Sequence, residues 1–216
     1  MLICGIDEAR RGPVIGPLVL CGILIDEKDE IRLIELEVKD SKLLTSKKRE
    51  ELAKKIKKVV KKYELVLVYP KEIDRAVNKE DGLNLNLLEA NKIAYIINKL
   101  KPDKAIVDCP SPNINSYKNY LKGKLNFDLD LVLEHKAERF PVVAAASILA
   151  KVTGDDEIKK IEKMVGESVG TGYPSNPICQ KFLKDNWEKY PEIFRKSWGT
   201  WQDHKITKLQ KKLGDF

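Results

Sequence analysis

Gly5-Ile6-Asp7-Glu8-Ala9-Arg10-Arg11-Gly12-Pro13-Val14-Ile15-Gly16-Pro17 is the stretch on which the reading of this chain turns. Two adjacent carboxylates stand where an apolar run stops. The residues before them, Leu2-Ile3-Cys4-Gly5-Ile6, have the composition of a short buried strand. Those after them are two arginines, then Gly-Pro twice, the residues of a turn. In a regular strand Asp7 and Glu8 leave on opposite faces. If both serve one site the strand must break here, and the turn residues predict that it does. The alternative is an acidic pair that caps an ordinary hairpin.

Outward from this stretch, Val14 to Ile25 is apolar and β-branched and predicts a second strand, with Gly12-Pro13 at the corner. Ile31 to Leu36 is a short apolar piece, and 38–44 a polar connector. Ser46 to Lys62 carries nine Lys or Arg against two Glu, an excess equal to the net charge of +7 of the whole chain. Leu52, Ile56, Val59 and Val60 fall on one side of it, which predicts a packed helix with a basic outer face. That excess suits a polyanionic partner, and a solvated lysine face explains it equally. Tyr63–Tyr69 alternates as a strand and 71–82 is polar. Asn84–Leu100 has helical periodicity, with Asn86 and Glu89 spaced as a capping box. Lys104–Asp108 and Leu129–Leu133 are short strands, and Asn113–Lys122 reads as a helix. Pro141 opens a long helix, apolar almost all round from Val142 to Val152 and therefore buried. Gly170–Pro177 is a turn-rich loop, followed by helical pieces around 178–190 and 201–213.

The 216 residues suffice for one domain with a full core. No apolar run approaches the ~20 residues that span a bilayer, and no basic segment followed by a long apolar one marks a secretory signal. The four cysteines, at 4, 21, 109 and 179, show no Cys-x-x-Cys spacing, so reduced thiols in a cytoplasmic protein are expected. Strands that alternate with helices predict a mixed α/β sheet.

Three strands end in acid: Ile6-Asp7-Glu8, Val107-Asp108, and the segment after Leu133 that reaches Glu138. Parallel strands align their C-terminal ends, so these carboxylates could converge. Crowded carboxylates repel and raise one another's pKa, and divalent cations remove the conflict. Hard oxygen ligands favour Mg²⁺ or Mn²⁺, and two such ions suit phosphodiester hydrolysis. A P-loop is absent. His135, in a polar turn between Glu134 and Lys136, reads as structural rather than as a catalytic base.

The details resemble a known family. Gly5–Pro13 is similar to the Asp-Glu-Ala-Gly-(Arg/Lys)-Gly signature of type 2 ribonucleases H, in particular ribonuclease HII of archaeal type. Lys39-Asp40-Ser41-Lys42 resembles its Asp-Ser-Lys segment, and Val107-Asp108 its third acid. His135-Lys136-Ala137-Glu138 with Phe140–Ser147 resembles its His-Lys-Ala-Asp and Pro-Val-Val-x-Ala-Ala-Ser run. Gly170–Pro177 resembles its Gly-Ser-Gly-Tyr-Pro-Ser-Asp-Pro loop. The blocks occur in order from residue 2 to about residue 200.

The resemblance implies an α/β ribonuclease H-like mixed sheet flanked by helices, with a catalytic domain over 1–176 and a C-terminal helical element over 177–216. It implies a monomeric endoribonuclease that cleaves the RNA strand of RNA–DNA hybrids and incises at ribonucleotides embedded in duplex DNA, leaving 5′-phosphate and 3′-hydroxyl ends. Residue by residue, Asp7, Glu8 and Asp108 would hold Mg²⁺ or Mn²⁺ and Glu138 would be the fourth acid. The backbone of Arg10, Arg11 and Gly12 would read the 2′-hydroxyl, Lys42 would contact phosphate, and Tyr173 would pack on a sugar. Two departures stand out: Arg10 replaces the family's Gly and Glu138 its Asp. They motivate the alternative of a hybrid-binding or duplex-binding protein with weakened catalysis. The ending Gln210-Lys211-Lys212-Leu213-Gly214-Asp215-Phe216 resembles a sliding-clamp-binding peptide through Gln210, Leu213 and Phe216, with a frayed terminal helix as the alternative.

Overall fold

A computed structural model describes residues 1–38 and 45–214, without side-chain detail for 208–214. The strands are β1 (Leu2–Ala9), β2 (Leu18–Asp26), β3 (Lys62–Val68), β4 (Lys104–Asp108) and β5 (Asp130–Glu134). They form one sheet in the order β3-β2-β1-β4-β5. β1 runs antiparallel to β2 and parallel to β4, and β4 is parallel to β5. The helices are α1 (Glu30–Glu35), α2 (Ser46–Val59), α3 (Pro70–Val77), α4 (Leu85–Leu100), α5 (Ile114–Lys122), α6 (Pro141–Val165), α7 (Pro177–Asn186) and α8 (Gly199–Gly214). No helix among the described residues is long and apolar enough to cross a membrane.

The chain divides into two compact units, each discontinuous in sequence. The first comprises 1–9, 19–67 and 85–154; the second comprises 10–18, 68–84 and 155–216. This cuts the chain differently from the expected division at residue 176, because two early excursions belong with the C-terminal residues.

In the first unit the central strand β1 is covered on both faces. On one face Ile3, Cys21, Ile23 and Ile25 share a core with Leu33 of α1, Leu52 and Ile56 of α2, and Val142–Ala150 of α6. Gly5 explains the close approach of α6: a Cβ there would stand 2.4 Å from the Val142 carbonyl carbon. Gly22 does the same for α4 on the opposite face, where a Cβ would meet Ile96 at 2.3 Å. In the second unit Val14, Ile15, Ile158, Phe182, Phe194 and Trp201 contribute to a separate core.

Three local expectations differ from what is observed. The second strand begins at Leu18 rather than Val14, because Gly16 takes a positive φ of 86° and Pro17 has no N–H for a ladder. Val14 and Ile15 instead donate backbone hydrogen bonds to the Gly172 carbonyl. The polar stretch after Tyr69 is helical: Pro70 at the first position opens α3, which buries Ile73 and Ala76. Helix α4 starts at Leu85, so Asn86 lies inside its first turn rather than capping it, and Glu89 is fully buried.

Candidate functional site

β1 does not break at its carboxylates. Its pairing with β2 continues through Asp7–Cys21 and Glu8–Leu20 to Ala9–Val19, and only at Arg10 does the backbone turn, with φ of 62°. Asp7 therefore leaves the sheet on the α6 side, in line with Gly5, and Glu8 leaves on the α4 side, in line with Ile6. Because Ile6 pairs with Val107, Asp7 and Asp108 are the next residues along two neighbouring parallel strands. Glu138 follows β5 in a short 3₁₀ turn, Ala137–Arg139.

Asp7 is only 5% exposed. Burial pushes its carboxyl up to about 7; hydrogen bonds from the Ser147 hydroxyl and the Glu8 N–H oppose this, and the charges of Asp108 and Glu138 add to it. Ser147, 1% exposed on α6, also reaches Glu138, its Oγ standing 3.4 Å from Oε1. One turn further along α6, Lys151 Nζ lies 3.5 Å from the same oxygen. The Asp108 carboxylate accepts the Ala137 N–H at 3.0 Å, which ties β4 to the turn carrying Glu138. His135 Nδ1 lies 3.0 Å from the Cys109 carbonyl oxygen, in keeping with its structural reading.

The structure thus brings Asp7, Asp108 and Glu138 into electrostatic contact and sets Glu8 on the other face of the strand. Among the described residues no three His, Cys, Asp or Glu side chains are arranged to hold an ion. The chemistry of the donors does fit a hard divalent cation: carboxylate oxygens, one of them held neutral-prone by burial beside two other acids, are what such an ion would relieve. The sequence does not mark Ser147 or Lys151 as site residues. The available signal was a hydroxyl, then a lysine at i+4, interrupting the all-apolar run of α6.

Among the described residues, the other predicted site residues belong to the second unit. The Arg10 side chain is 8% exposed; it donates to the Thr171 carbonyl at 2.9 Å and lies over the Tyr173 ring at 5.9 Å. Burial lowers the pKa of its guanidinium. Gly172 permits this packing, since a Cβ there would stand 2.7 Å from Arg10 Nη2. The Tyr173 ring stands 3.4 Å from where a Gly12 Cβ would be, and the tyrosine keeps 39% of its surface exposed. Arg11 is half-buried and Gly12 exposed. Gln210 and Leu213 fall within α8. Lys42 and Phe216 lie outside the described residues.

Comparison with known proteins gives a consistent result. The family model for ribonuclease HII matches residues 4–201. Ribonuclease HII of Methanocella arvoryzae is 46% identical over 202 residues, 92% of this chain and 89% of that one. The crystal structure of ribonuclease H2 from Pyrococcus horikoshii OT3 superimposes with a TM-score of 0.87 at 40% identity, covering 96% of this chain and 98% of that one. Ribonuclease HII of Archaeoglobus fulgidus, solved in complex with PCNA, superimposes with a TM-score of 0.82 at 38% identity over 92% and 95%. The mixed sheet, the acids at its strand ends and these likenesses agree: the chain belongs to the ribonuclease HII family and is an endoribonuclease acting on RNA–DNA hybrids.

Proposed function

We propose that Asp7 and Asp108 hold Mg²⁺ or Mn²⁺ with Glu138 as the fourth acid, and that Glu8, although it leaves β1 on the opposite face, completes the quartet from the strand end, where its charge and that of Asp108 both act on the Cys109 thiol. The observation that carries the proposal is the buried Asp7 carboxyl, raised to about 7 with Asp108 and Glu138 beside it. Burial, and to a lesser extent the two neighbouring acids, make the ionised carboxyl costly to keep, and functional sites are where such perturbation recurs. When bound, two divalent ions would supply an activated water and neutralise the charge developing on the leaving 3′-oxygen. The protein's own part is positional. Ser147 orients Asp7 and Glu138, and the Ala137 N–H orients Asp108. Lys151 draws Glu138 toward α6, which offsets the extra methylene that Glu has over Asp. Hydrolysis on that side of the phosphate leaves 5′-phosphate and 3′-hydroxyl ends.

The Arg10–Gly12 backbone reads the 2′-hydroxyl, the group that distinguishes RNA from DNA, and so permits incision at single ribonucleotides in duplex DNA. The exposed ring of Tyr173, steadied by Arg10, is suited to pack on a sugar. A sliding clamp is the proposed protein partner, through Gln210, Leu213 and Phe216; the relative from A. fulgidus, solved with PCNA, supports this. The four cysteines are all buried and free, which supports a reducing, cytoplasmic setting.

Asp108→Asn tests the metal assignment. An amide is a poorer ligand than a carboxylate, so cleavage of a hybrid in Mg²⁺ is expected to fall by about 10³-fold or more. Duplex affinity, carried by phosphate contacts, is expected to stay within twofold. A mutant that cleaves within a few-fold of wild type removes the assignment. A wild-type protein that binds hybrid tightly yet cleaves in neither Mg²⁺ nor Mn²⁺ selects the alternative of weakened catalysis.

A further inference from the structure

We propose that Arg195, with Trp198, is the positioning residue of the 2′-hydroxyl reader: it draws the Arg10 and Arg11 carbonyls inward and thereby sets where the N–H groups of Arg11 and Gly12 point. The inference rests on the reading of Arg10–Gly12 given above.

Arg195 is completely buried. Its guanidinium donates to three backbone carbonyls: Nη2 to Arg10 at 2.7 Å, Nη1 to Arg11 at 2.6 Å, and Nε to Gly16 at 3.0 Å. The guanidinium lies over the Trp198 ring at 5.0 Å, and Trp198 Nε1 donates to the Gly12 carbonyl at 3.0 Å. The two side chains therefore hold every carbonyl of the reader, 10, 11 and 12. Asp74 fixes the turn between them, its carboxylate accepting the N–H groups of Lys196 and Ser197 and the Ser197 hydroxyl.

The consequence follows from peptide geometry. No peptide bond among the described residues is cis, and in a planar trans unit the N–H of one residue points opposite to the C=O before it. Turning the Arg10 carbonyl to Arg195 aims the Arg11 N–H the other way. Turning the Arg11 carbonyl does the same for the Gly12 N–H. The next carbonyl, that of Gly12, precedes Pro13, which has no N–H. The clamp thus orients two neighbouring donors together. Only a planar fork with donors on three nitrogens meets three carbonyls at these separations; a lysine ammonium is a point donor.

The test uses the full-length protein and three duplexes of one sequence: all-DNA, DNA with one embedded ribonucleotide, and an RNA–DNA hybrid. Wild type, Arg195→Lys, Arg195→Gln and Trp198→Phe are compared for binding in Ca²⁺, for kcat and KM in Mg²⁺, and for thermal midpoint. Trp198→Phe keeps a ring over the guanidinium and removes only the donor to the Gly12 carbonyl, whose peptide carries no N–H, so it is the control expected to keep the preference; Arg195→Gln, which lacks the three-nitrogen fork, decides the matter if Arg195→Lys does not fold. The expected result for the Arg195 variants is loss of the binding preference for the ribonucleotide-containing duplex over all-DNA. With it, kcat/KM at the single ribonucleotide falls about tenfold, in KM because the bound preference is lost and in kcat because misaligned donors act on orientation. Affinity for all-DNA duplex stays within about twofold. A folded Arg195 variant keeping the wild-type preference would overturn the positioning role alone. A wild type with no preference would overturn the reader, and this inference with it. A matched drop on all three duplexes that tracks the thermal midpoint would reduce the pair to a structural role.

Discussion

Asp7 and Arg10 are each placed where an isolated residue of their type would not stay. The folded Asp7 carboxyl titrates near 7, against an ordinary value of 3.8. A raised pKa means that the folded state holds its proton longer than the unfolded chain does. Stability from this group is present below about pH 4 and is lost as pH rises through about 7. At pH 8 in chelator the cost of the ionised group is on the order of 4 kcal/mol. Asp7→Asn is therefore expected to raise the denaturation midpoint at pH 8 in chelator, to change it little at pH 4, and to abolish cleavage. Urea titrations at the two pH values check this. At Arg10 the left-handed backbone and the buried side chain oppose one another. An Ala there keeps the strained φ and loses the contacts to Thr171 and Tyr173, whereas Gly loses the contacts and relaxes the backbone. Arg10→Ala is expected to be less stable than Arg10→Gly by about 1 kcal/mol. Equal midpoints in denaturant would mean that the positive φ of 62° stores no strain.

At the scale of elements, the site depends on how closely α6 lies on β1. Ser147 reaches Asp7 because Gly5, two residues before Asp7 on the same face, has no side chain to hold the helix away. Gly5→Ala places a methyl 2.4 Å from helix backbone, which must move. The expected cost is about 2–3 kcal/mol. A larger proportional loss of kcat than of hybrid affinity is also expected, since the shift displaces Ser147 and Lys151 from Asp7 and Glu138. Ser147→Ala should reproduce the kcat loss with little of the destabilisation. If Gly5→Ala is unstable yet fully active per folded molecule, the helix and strand do not need this spacing for catalysis.

At the scale of the whole molecule, the chain carries a net charge of +7, and seven of those charges come from the excess in 46–62. α2 buries Leu52, Ala53 and Ile56 and leaves Lys47, Lys48, Lys54, Lys55, Lys57 and Lys58 exposed to solvent, while beyond its end Lys61 pairs with Asp26 and Lys62 belongs to β3, so only part of that excess lies on the face of the helix. The C-terminal pattern concerns a different partner. Removal of 210–216 is expected to weaken association with a DNA sliding clamp by at least about tenfold and to leave cleavage of short duplexes unchanged. Calorimetry with full-length and truncated protein measures the first, and a gel assay the second. Equal clamp binding would leave the terminal pattern as the end of a helix.

The sequence by itself determined most of the elements and supplied the residue types of the candidate site. Alternation and apolar runs located the five strands, Pro141 and the run to Val152 identified the buried helix, and the acids at strand ends marked the chemistry. These relations are local, repeating at two or about four residues, and a linear pattern records them. Tertiary structure alone decided five matters. It kept β1 intact past Glu8, so that Asp7 and Glu8 part to opposite faces instead of turning together. It brought Ser147 and Lys151 to the acids. It turned the Arg10 side chain inward to Thr171, 161 residues away, rather than out to solvent. It set Arg195 behind the Arg10 carbonyl, 185 residues away. It also divided the chain into units of interleaved segments, which no composition shift marks. The physical reason is the same in each case. Burial and hydrogen-bond satisfaction act between surfaces that meet only after folding, and a contact across 160 residues leaves no period in the sequence.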